Sequence, residues 1–131
     1  MWLLDTNVWI GYLNPAPSQV KRHIGAHRIE DLILCDVVKA ELYYGAFKSA
    51  RRDANLVLVD RLCSAFSSLP FDGRAARRFG EIRAELTRQG QPIGPYDMLI
   101  AAIALANGCI LVTHNTAEFS RIPGLHLEDW E

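Results

Sequence analysis

The sequence of 131 residues lacks several features that define whole classes of protein. Its longest apolar run, residues 98–106, is far shorter than the roughly 20 residues that cross a bilayer. No signal peptide is recognisable, because Asp5 interrupts the apolar segment that follows Met1. No pair of cysteines has the CxxC spacing typical of zinc or redox sites. These absences predict a soluble cytoplasmic protein without membrane association.

Cysteine is scarce, and a strong net charge is absent. The three cysteines, Cys35, Cys63 and Cys109, are widely separated, so we expect inert thiols in a reducing compartment. A net charge of −1 excludes a uniformly basic surface but allows a local basic face. Because half of the residues are hydrophobic and 22% are charged, the composition predicts one globular domain over residues 1–131.

Short apolar runs alternate with amphipathic segments along the chain. Strands are predicted at residues 2–4, 32–35, 109–113 and 125–127, with an extended stretch at 69–71. Helices are predicted at residues 18–28, 37–50, 53–67, 73–89 and 96–107, after a first helix capped by Thr6 or Asn7. Strands separated by helices indicate right-handed crossovers and a parallel α/β sheet covered on both faces. In such sheets, sites form beyond the carboxyl ends of the strands.

Four acidic residues occupy positions where their charge needs an explanation. Asp5 ends the first strand, where a helix N-cap is the simpler interpretation. Glu41 falls on the apolar stripe of its helix, so burial would require an ion pair with Lys or Arg, or a metal ion. Asp97 opens an almost wholly apolar helix, whose dipole it could complement. Glu118 and Asn115 match the spacing of a capping box.

Taken together, these acids are a more specific signal of a functional site than any one of them alone, because separate elements deliver them to one edge of the sheet. All-oxygen clusters of this kind suit Mg²⁺ or Mn²⁺. Zinc is disfavoured, since His23 and His27 are four residues apart but lack the Glu of an HExxH motif. We expect these two histidines at the surface, His114 in a structural or solvent role, and Asp36 as a helix cap.

Several sequence blocks extend this pattern: residues 4–7, 40–46, 83–102, 111–119 and 127–130. In content and order they resemble the PIN-domain ribonucleases, and among them the VapC-like toxins of bacterial toxin–antitoxin pairs. The resemblance spans nearly the whole chain. It implies a three-layer α/β/α domain that cuts RNA with Mg²⁺ or Mn²⁺, forms a homodimer and is held inactive by a VapB-like antitoxin.

The resemblance also implies roles for individual residues. Asp5, Glu41 and Asp97 fall on the catalytic acids of the family, with Asp5 and Asp97 holding the cation and Glu41 orienting water or holding a second ion. Many relatives carry Asp close to Asn115, so either Asn115 is a neutral ligand or Glu118 supplies the charge. Four short polar side chains are expected to orient ligands or waters: Thr6, Asn7, Thr113 and Asn115.

RNA and protein partners require surfaces of different chemistry. The candidate contacts to the RNA backbone are basic: Lys48, Arg51, Arg52, Arg74, Arg77 and Arg78. Self-association is expected on aromatic residues of the first and third predicted helices: Trp9, Tyr12, Tyr43 and Tyr44. The antitoxin is expected to contact Trp9, Ile10 and Tyr12.

Two alternative functions remain at this stage. A phosphatase of the haloacid dehalogenase type would use Asp5 as its nucleophile, but it needs a second Asp where Asn7 stands. A catalytically decayed PIN-like module would bind RNA or protein without cutting. Such a module would have no electrostatic reason to keep mutually repelling carboxylates, so we favour the enzyme.

Overall fold

The computed structural model describes all 131 residues. Five short strands are present: β1 (Trp2–Leu4), β2 (Leu32–Cys35), β3 (Ser67–Leu69), β4 (Ile110–Val112) and β5 (Leu127–Glu128). Seven α-helices separate or follow them: α1 (Thr6–Leu13), α2 (Gln19–Gly25), α3 (Asp36–Lys48), α4 (Arg52–Ala65), α5 (Gly73–Arg88), α6 (Pro95–Ala106) and α7 (Thr116–Phe119). A short 3-10 helix, Ile29–Asp31, precedes β2.

The strands form one sheet in the order β3-β2-β1-β4-β5, and every pair is parallel, as the sequence predicted. The chain advances from β1 through β2 to β3, then returns across the sheet to place β4 on the other side of β1. Since parallel crossovers are right-handed, helices before and after this reversal cover opposite faces. The architecture is the predicted α/β/α arrangement. Its switch point lies between β1 and β4, where sheets of this type form sites.

The central strands and α6 build the core. All four residues of β2 are buried. Helix α6 buries Met98 and every residue from Ile100 to Ala104, and α5 packs along it. The nearly continuous apolar sequence of α6 predicted this central place, and the prediction is confirmed. Because the helix is fixed on several sides, the position of Asp97 in its first turn is fixed as well.

Some boundaries differ from the prediction. The residue that caps α1 is Asp5, whose carboxylate accepts a hydrogen bond from the Thr6 backbone, rather than Thr6 or Asn7. Asp36 is the first residue of α3 and caps nothing; its Oδ1 accepts a hydrogen bond from Ser68 at 2.9 Å. The Asp36 side chain therefore stabilises the contact between α3 and β3.

The bounds of the two edge strands also differ from the prediction. Helix α4 ends at Ala65 because residues 67–69 pair with β2, so the strand precedes the predicted stretch at 69–71. The last strand is Leu127–Glu128 rather than 125–127. In both cases strand pairing, which the local sequence does not encode, sets the boundary. No helix combines the length and apolar character that a membrane crossing requires.

Trp9 corrects the prediction of an aromatic surface on α1. Its side chain is fully buried and packs against Phe66 and Tyr12, with ring centroids 4.7 and 5.9 Å away. Tyr12 is half-buried, and only Tyr44 of the four predicted aromatic surface residues is strongly exposed. Trp9 is thus unavailable to a partner. Burial also raises the pKa of the Cys35 thiol to about 12, which agrees with an inert core thiol.

Candidate active site

Asp5 stands where β1 ends at the switch point of the sheet, and its carboxylate is rigidly held. One oxygen accepts a hydrogen bond from the Thr6 backbone at 2.8 Å, and the other accepts one from the Thr113 hydroxyl at 2.9 Å. The residue is 8% exposed, and burial raises the pKa of its carboxyl although both hydrogen bonds lower it. Asp5 is both a helix cap and a constrained carboxylate, so its role as an N-cap does not exclude a role in the active site.

Glu41 extends from the half-buried face of α3 toward the start of α1. Its Oε1 accepts a hydrogen bond from the Thr6 hydroxyl at 2.7 Å. No lysine or arginine forms an ion pair with it, so the alternative of a structural ion pair is wrong. Thr6 therefore links two of the predicted acids, donating from its backbone to Asp5 and from its side chain to Glu41.

Asp97 lies close enough to the other three acids for their charges to affect its pKa. Burial chiefly, and then the charges of Asp5, Glu118 and Glu41 in that order, raise the pKa of its carboxyl to about 6. The charges of three predicted acids thus act on the fourth. A role limited to the dipole of α6 would not require these neighbours.

Glu118 and Asn115 contact each other, but not as a capping box. The side-chain amide of Asn115 donates to the Glu118 carboxylate, whereas the Asn115 backbone donates to the Thr113 hydroxyl at 3.0 Å. No side chain caps α7. The predicted capping role is therefore wrong in detail, and Glu118 lies near enough to Asp97 to raise its pKa. Thr113 connects this pair to Asp5.

The four acids, which we call the acid cluster, form no ion pair, and their carboxylates do not touch one another. No lysine, arginine or histidine lies within ion-pair distance of any of them. Their ligand oxygens also do not form a group within 4.8 Å of one another, a spacing that only His114, Asp129 and Glu131 reach. Carboxylates that repel one another without a cation are expected to stay apart. The exposed His114 group lacks any buried member and is explained by its own hydrogen bond, 3.0 Å from His114 Nδ1 to Asp129.

His23 is exposed and His27 is half-buried, so both lie at the surface as predicted. His23 and His27 stack on Trp130, with ring centroids 5.1 and 4.8 Å away. Trp130 is buried and donates its indole N–H to Glu128 at 3.1 Å. These rings hold the carboxyl-terminal residues against α2. They take no part in the group formed by the four acids.

The predicted basic residues divide between two ends of the molecule. Lys48 lines a cleft with Glu41, whereas Arg74 contacts Asn107 at 3.1 Å. Asn107 follows α6 ten residues after Asp97, which corresponds to about 15 Å along the helix axis. The arginines near the start of α5 are thus remote from the acids, and their contact with the RNA backbone stays a prediction.

The cleft beside the acids includes a residue that the sequence reading did not single out. Its lining comes from α1, α3 and the start of α6: Thr6, Asn7, Ile10, Ala40, Glu41, Tyr44, Gly45, Lys48 and Tyr96. Tyr96 is 60% exposed. The available signal was its position immediately before Asp97, which places it beside the acids whatever direction its ring takes.

The fold and the site together define a class of protein: a parallel α/β/α domain with acids at the switch point of its sheet. The comparison with protein families agrees with this class. Residues 2–125 match the family described as PIN domain. The chain belongs to this family.

The similar proteins within the family are VapC proteins. The tRNA(fMet)-specific endonuclease VapC of Shigella flexneri is 40% identical over 129 residues, which cover 98% of this chain and 97% of the relative. The ribonuclease VapC2 of Rickettsia felis is 35% identical over 132 residues, which cover 100% of this chain and 98% of the relative. In the crystal structure of DNA-bound VapBC from Salmonella typhimurium, the matching chain has a TM-score of 0.93 and 38% identity, and the match covers 99% of this chain and 98% of that one.

Proposed function

We propose that the protein is a divalent-metal-dependent endoribonuclease and the toxin of a VapBC-type toxin–antitoxin pair. The observation that carries the proposal is a group of four carboxylates of which none forms an ion pair: Asp5, Glu41, Asp97 and Glu118. Such an arrangement costs free energy, and it is expected where a bound cation completes it. The ribonuclease activity of relatives that are 35 to 40% identical supports the same class of reaction.

The donor set fits Mg²⁺ or Mn²⁺, because both ions prefer carboxylate and carbonyl oxygens. Asp5, Asp97 and Glu41 would hold the ion, with Glu118 or the amide of Asn115 completing the site. When bound there, the ion would neutralise the scissile phosphate and lower the pKa of the attacking water.

The surrounding side chains prepare these acids for that role. The two hydrogen bonds to Asp5 fix its carboxylate before any ligand arrives, so little reorganisation is needed on binding. Thr6 occupies only Oε1 of Glu41, which leaves Oε2 to orient a water or accept its proton. The proton that Asp97 binds with a pKa of about 6 must leave before the carboxylate serves as a ligand.

Transfer RNA is the substrate to test first, since the Shigella flexneri relative is named as specific for tRNA(fMet). The proposal is tested by incubating the purified protein with total RNA and with tRNA, in EDTA, Mg²⁺ or Mn²⁺, and mapping the cleaved ends. We expect cleavage that depends on the metal and that Asp97→Asn abolishes. Asp36→Asn is the matched control, because Asp36 also follows a strand but lies outside the acid cluster. Metal-independent cleavage, or none by the intact protein, would contradict the assignment.

A groove on the other side of Ile10 fits the proposed antitoxin. It lies between α1, α3 and α4, has a volume of about 380 Å³, and is lined by Ile10, Leu13, Leu42, Leu58 and Val59 together with Glu41. An amphipathic helix could bury its apolar face there. Because the groove reaches Glu41, an arginine or lysine of such a helix could also pair with the acids. Trp9, which we expected in this contact, lies beneath the surface.

The toxin role has a separate test in cells. Expression of the protein alone should arrest growth, and the product of an adjoining short reading frame should restore it. Growth arrest that persists in Asp97→Asn would separate toxicity from nuclease activity. A harmless protein with intact acids would contradict the toxin assignment.

We propose a homodimer as well. Phe47 of α3 and Val57 of α4 are exposed apolar side chains outside the cleft and the groove, and self-association could bury them. Sedimentation velocity at micromolar concentration should show a dimer, and a monomer alone would contradict it.

A further inference from the structure

The cleft beside the acids carries two exposed aromatic side chains whose hydroxyls have no partner in the fold. Tyr44 is 66% exposed and Tyr96 is 60% exposed, and neither hydroxyl forms a hydrogen bond within the protein. Tyr43, by contrast, donates its hydroxyl to Asp60 at 2.6 Å, which ties α3 to α4. Tyr44 and Tyr96 therefore have no comparable structural role.

Helix α3 aligns three kinds of side chain along one face. Glu41, Tyr44 and Lys48 are three and four residues apart, a spacing that stacks side chains above one another on a helix. The Lys48 ammonium lies 4.8 Å from the centroid of the Tyr44 ring. From the acids outward, the cleft thus presents a carboxylate, an aromatic face and a cation. Tyr96 approaches the same cleft from the first turn of α6.

This order matches the chemistry of an unpaired stretch of RNA. Proteins bind single-stranded RNA by stacking bases on aromatic side chains and pairing phosphates with cations. The cleft, with a volume of about 680 Å³, is within the range of roughly 300–1,000 Å³ typical of small-ligand sites. A peptide is the other conceivable occupant, but the apolar groove beyond Ile10 suits an amphipathic helix better. Charge and continuity with the acids favour RNA in the cleft.

We propose that Tyr44 and Tyr96 stack an unpaired nucleotide next to the scissile phosphate, and that Lys48 pairs with a neighbouring phosphate. The inference rests on the proposed ribonuclease function, since it assigns a subsite to the same substrate. It gives the enzyme a preference for single-stranded or loop segments, because a base inside a duplex cannot reach both rings.

The experiment measures binding and cleavage separately. A fluorescently labelled single-stranded pentaribonucleotide of random sequence is titrated with Asp97→Asn, in which cleavage is expected to be abolished. Tyr44→Leu and Tyr96→Leu are then added to this background, with Tyr44→Phe and Tyr96→Phe as matched controls that keep the ring. We expect each leucine variant to weaken binding roughly 5- to 150-fold, and each phenylalanine variant to change it by less than about threefold.

Lys48→Gln tests the cation. Its binding should show a salt dependence shallower by about 0.7 in the slope of log K against log salt, the value for one phosphate of a single strand. Lys39→Gln is the control, since Lys39 belongs to the same helix but does not line the cleft. Unchanged slopes in both variants would remove Lys48 from the subsite.

The outcomes separate this inference from the proposed function. Suppose that the wild-type protein cuts tRNA. If the leucine variants then bind the oligonucleotide as tightly as Asp97→Asn does, or if Asp97→Asn does not bind it at all, the subsite is wrong and the nuclease stands. If ring-dependent binding occurs but the wild-type protein cuts nothing, the subsite stands and the nuclease fails. If the leucine changes weaken binding of the antitoxin and leave RNA binding intact, the cleft belongs to the protein partner.

Discussion

The acid cluster and the start of α5 are both rich in charged residues, but only the residues of α5 form ion pairs with one another. Arg77 and Arg78 lie 3.6 and 3.5 Å from oxygens of Glu81, and all three side chains are exposed. Asp5 and Asp97 face other carboxylates, are more deeply buried and have no basic partner. Exposed ion pairs contribute about 0–1 kcal/mol, so the region around α5 needs no ligand and gains little from its charges.

The difference shows where a charge pattern predicts function. Both regions are conspicuous in the sequence, and the arginines of α5 are the more numerous. What distinguishes the acid cluster is that its charges remain uncompensated after folding, which costs free energy and implies a ligand. The following predictions test that distinction, beginning with the largest expected effect.

Removing one charge from each region should affect catalysis very differently. We expect Asp5→Asn to lower the rate of RNA cleavage at least about a hundredfold, because the change removes a proposed metal ligand but keeps the shape and a good N-cap. Arg77→Gln should change the rate less than about twofold. Rates measured on the same tRNA, with circular dichroism to verify folding, test both. Similar losses in the two variants would remove the distinction between the regions.

A divalent ion should stabilise one region only. At a Mn²⁺ concentration a hundredfold above Kd, we expect the free energy of unfolding to rise by about 2.7 kcal/mol. Asp97→Asn should raise stability without metal, since it relieves repulsion among the acids, and should reduce the response to Mn²⁺. Glu81→Gln should keep the full response. Thermal unfolding across a Mn²⁺ titration measures this, and a response retained in Asp97→Asn would place the ion elsewhere.

The hydroxyl of Thr6 should matter through the carboxylate that it holds. Thr6→Val keeps the shape and the backbone hydrogen bond to Asp5, but removes the donor to Glu41. We expect kcat to fall about 10- to 100-fold, with recovery in Thr6→Ser. Ser68→Ala is the control, because it removes an equivalent hydroxyl bond to Asp36 outside the cluster. Equal activity of Thr6→Val and the wild type would show that Glu41 needs no such positioning.

The sequence allowed the acid positions to be predicted because they depend on element ends that are locally encoded. Asp5 follows a short apolar strand, and Asp97 opens a helix whose apolar residues require a central place. The parallel topology follows from alternating strands and helices, and it brings the carboxyl ends to one edge. Glu41 was placed by its position within an apolar stripe.

Other features depend on tertiary contacts that periodicity does not reveal. Residues of α1 are apolar on most faces, so the pattern could not show that Trp9 points inward and Ile10 outward. The strand Ser67–Leu69 is polar and short, and only pairing with β2 makes it a strand. The partners of the arginines on α5, and hence their distance from the site, likewise required the packed structure.

The two regions should respond to pH with opposite signs. The pKa of Asp97 is raised to about 6, so the folded apo protein binds that proton more tightly than the unfolded chain, and this contribution to stability is lost as pH rises through 6. The pKa of Asp72, the N-cap of α5, is lowered, chiefly by the Ala75 backbone hydrogen bond, so its contribution is complete above its ordinary pKa of 3.8 and is lost as pH falls from there through the lowered pKa. In EDTA, the stability gained by Asp97→Asn should therefore be larger at pH 7.5 than at pH 5, as urea unfolding would measure. An equal gain at both values would exclude Asp97 as the titrating group.

Two helix glycines, one in each region, give the smallest and most closely matched test. Gly45 lines the cleft and the apolar groove, whereas Gly80 belongs to α5, and an added Cβ would meet nothing within 4 Å at either position. Because glycine inside a helix costs about 0.5–1 kcal/mol relative to alanine, both Gly45→Ala and Gly80→Ala should stabilise the protein by that amount. Only Gly45→Ala should also weaken the antitoxin complex or RNA binding, since its methyl group occupies space that a bound partner would approach. Urea unfolding and binding titrations of the two variants test this, and a stabilised Gly45→Ala with undiminished binding of both partners would show that the open space at Gly45 serves neither of them.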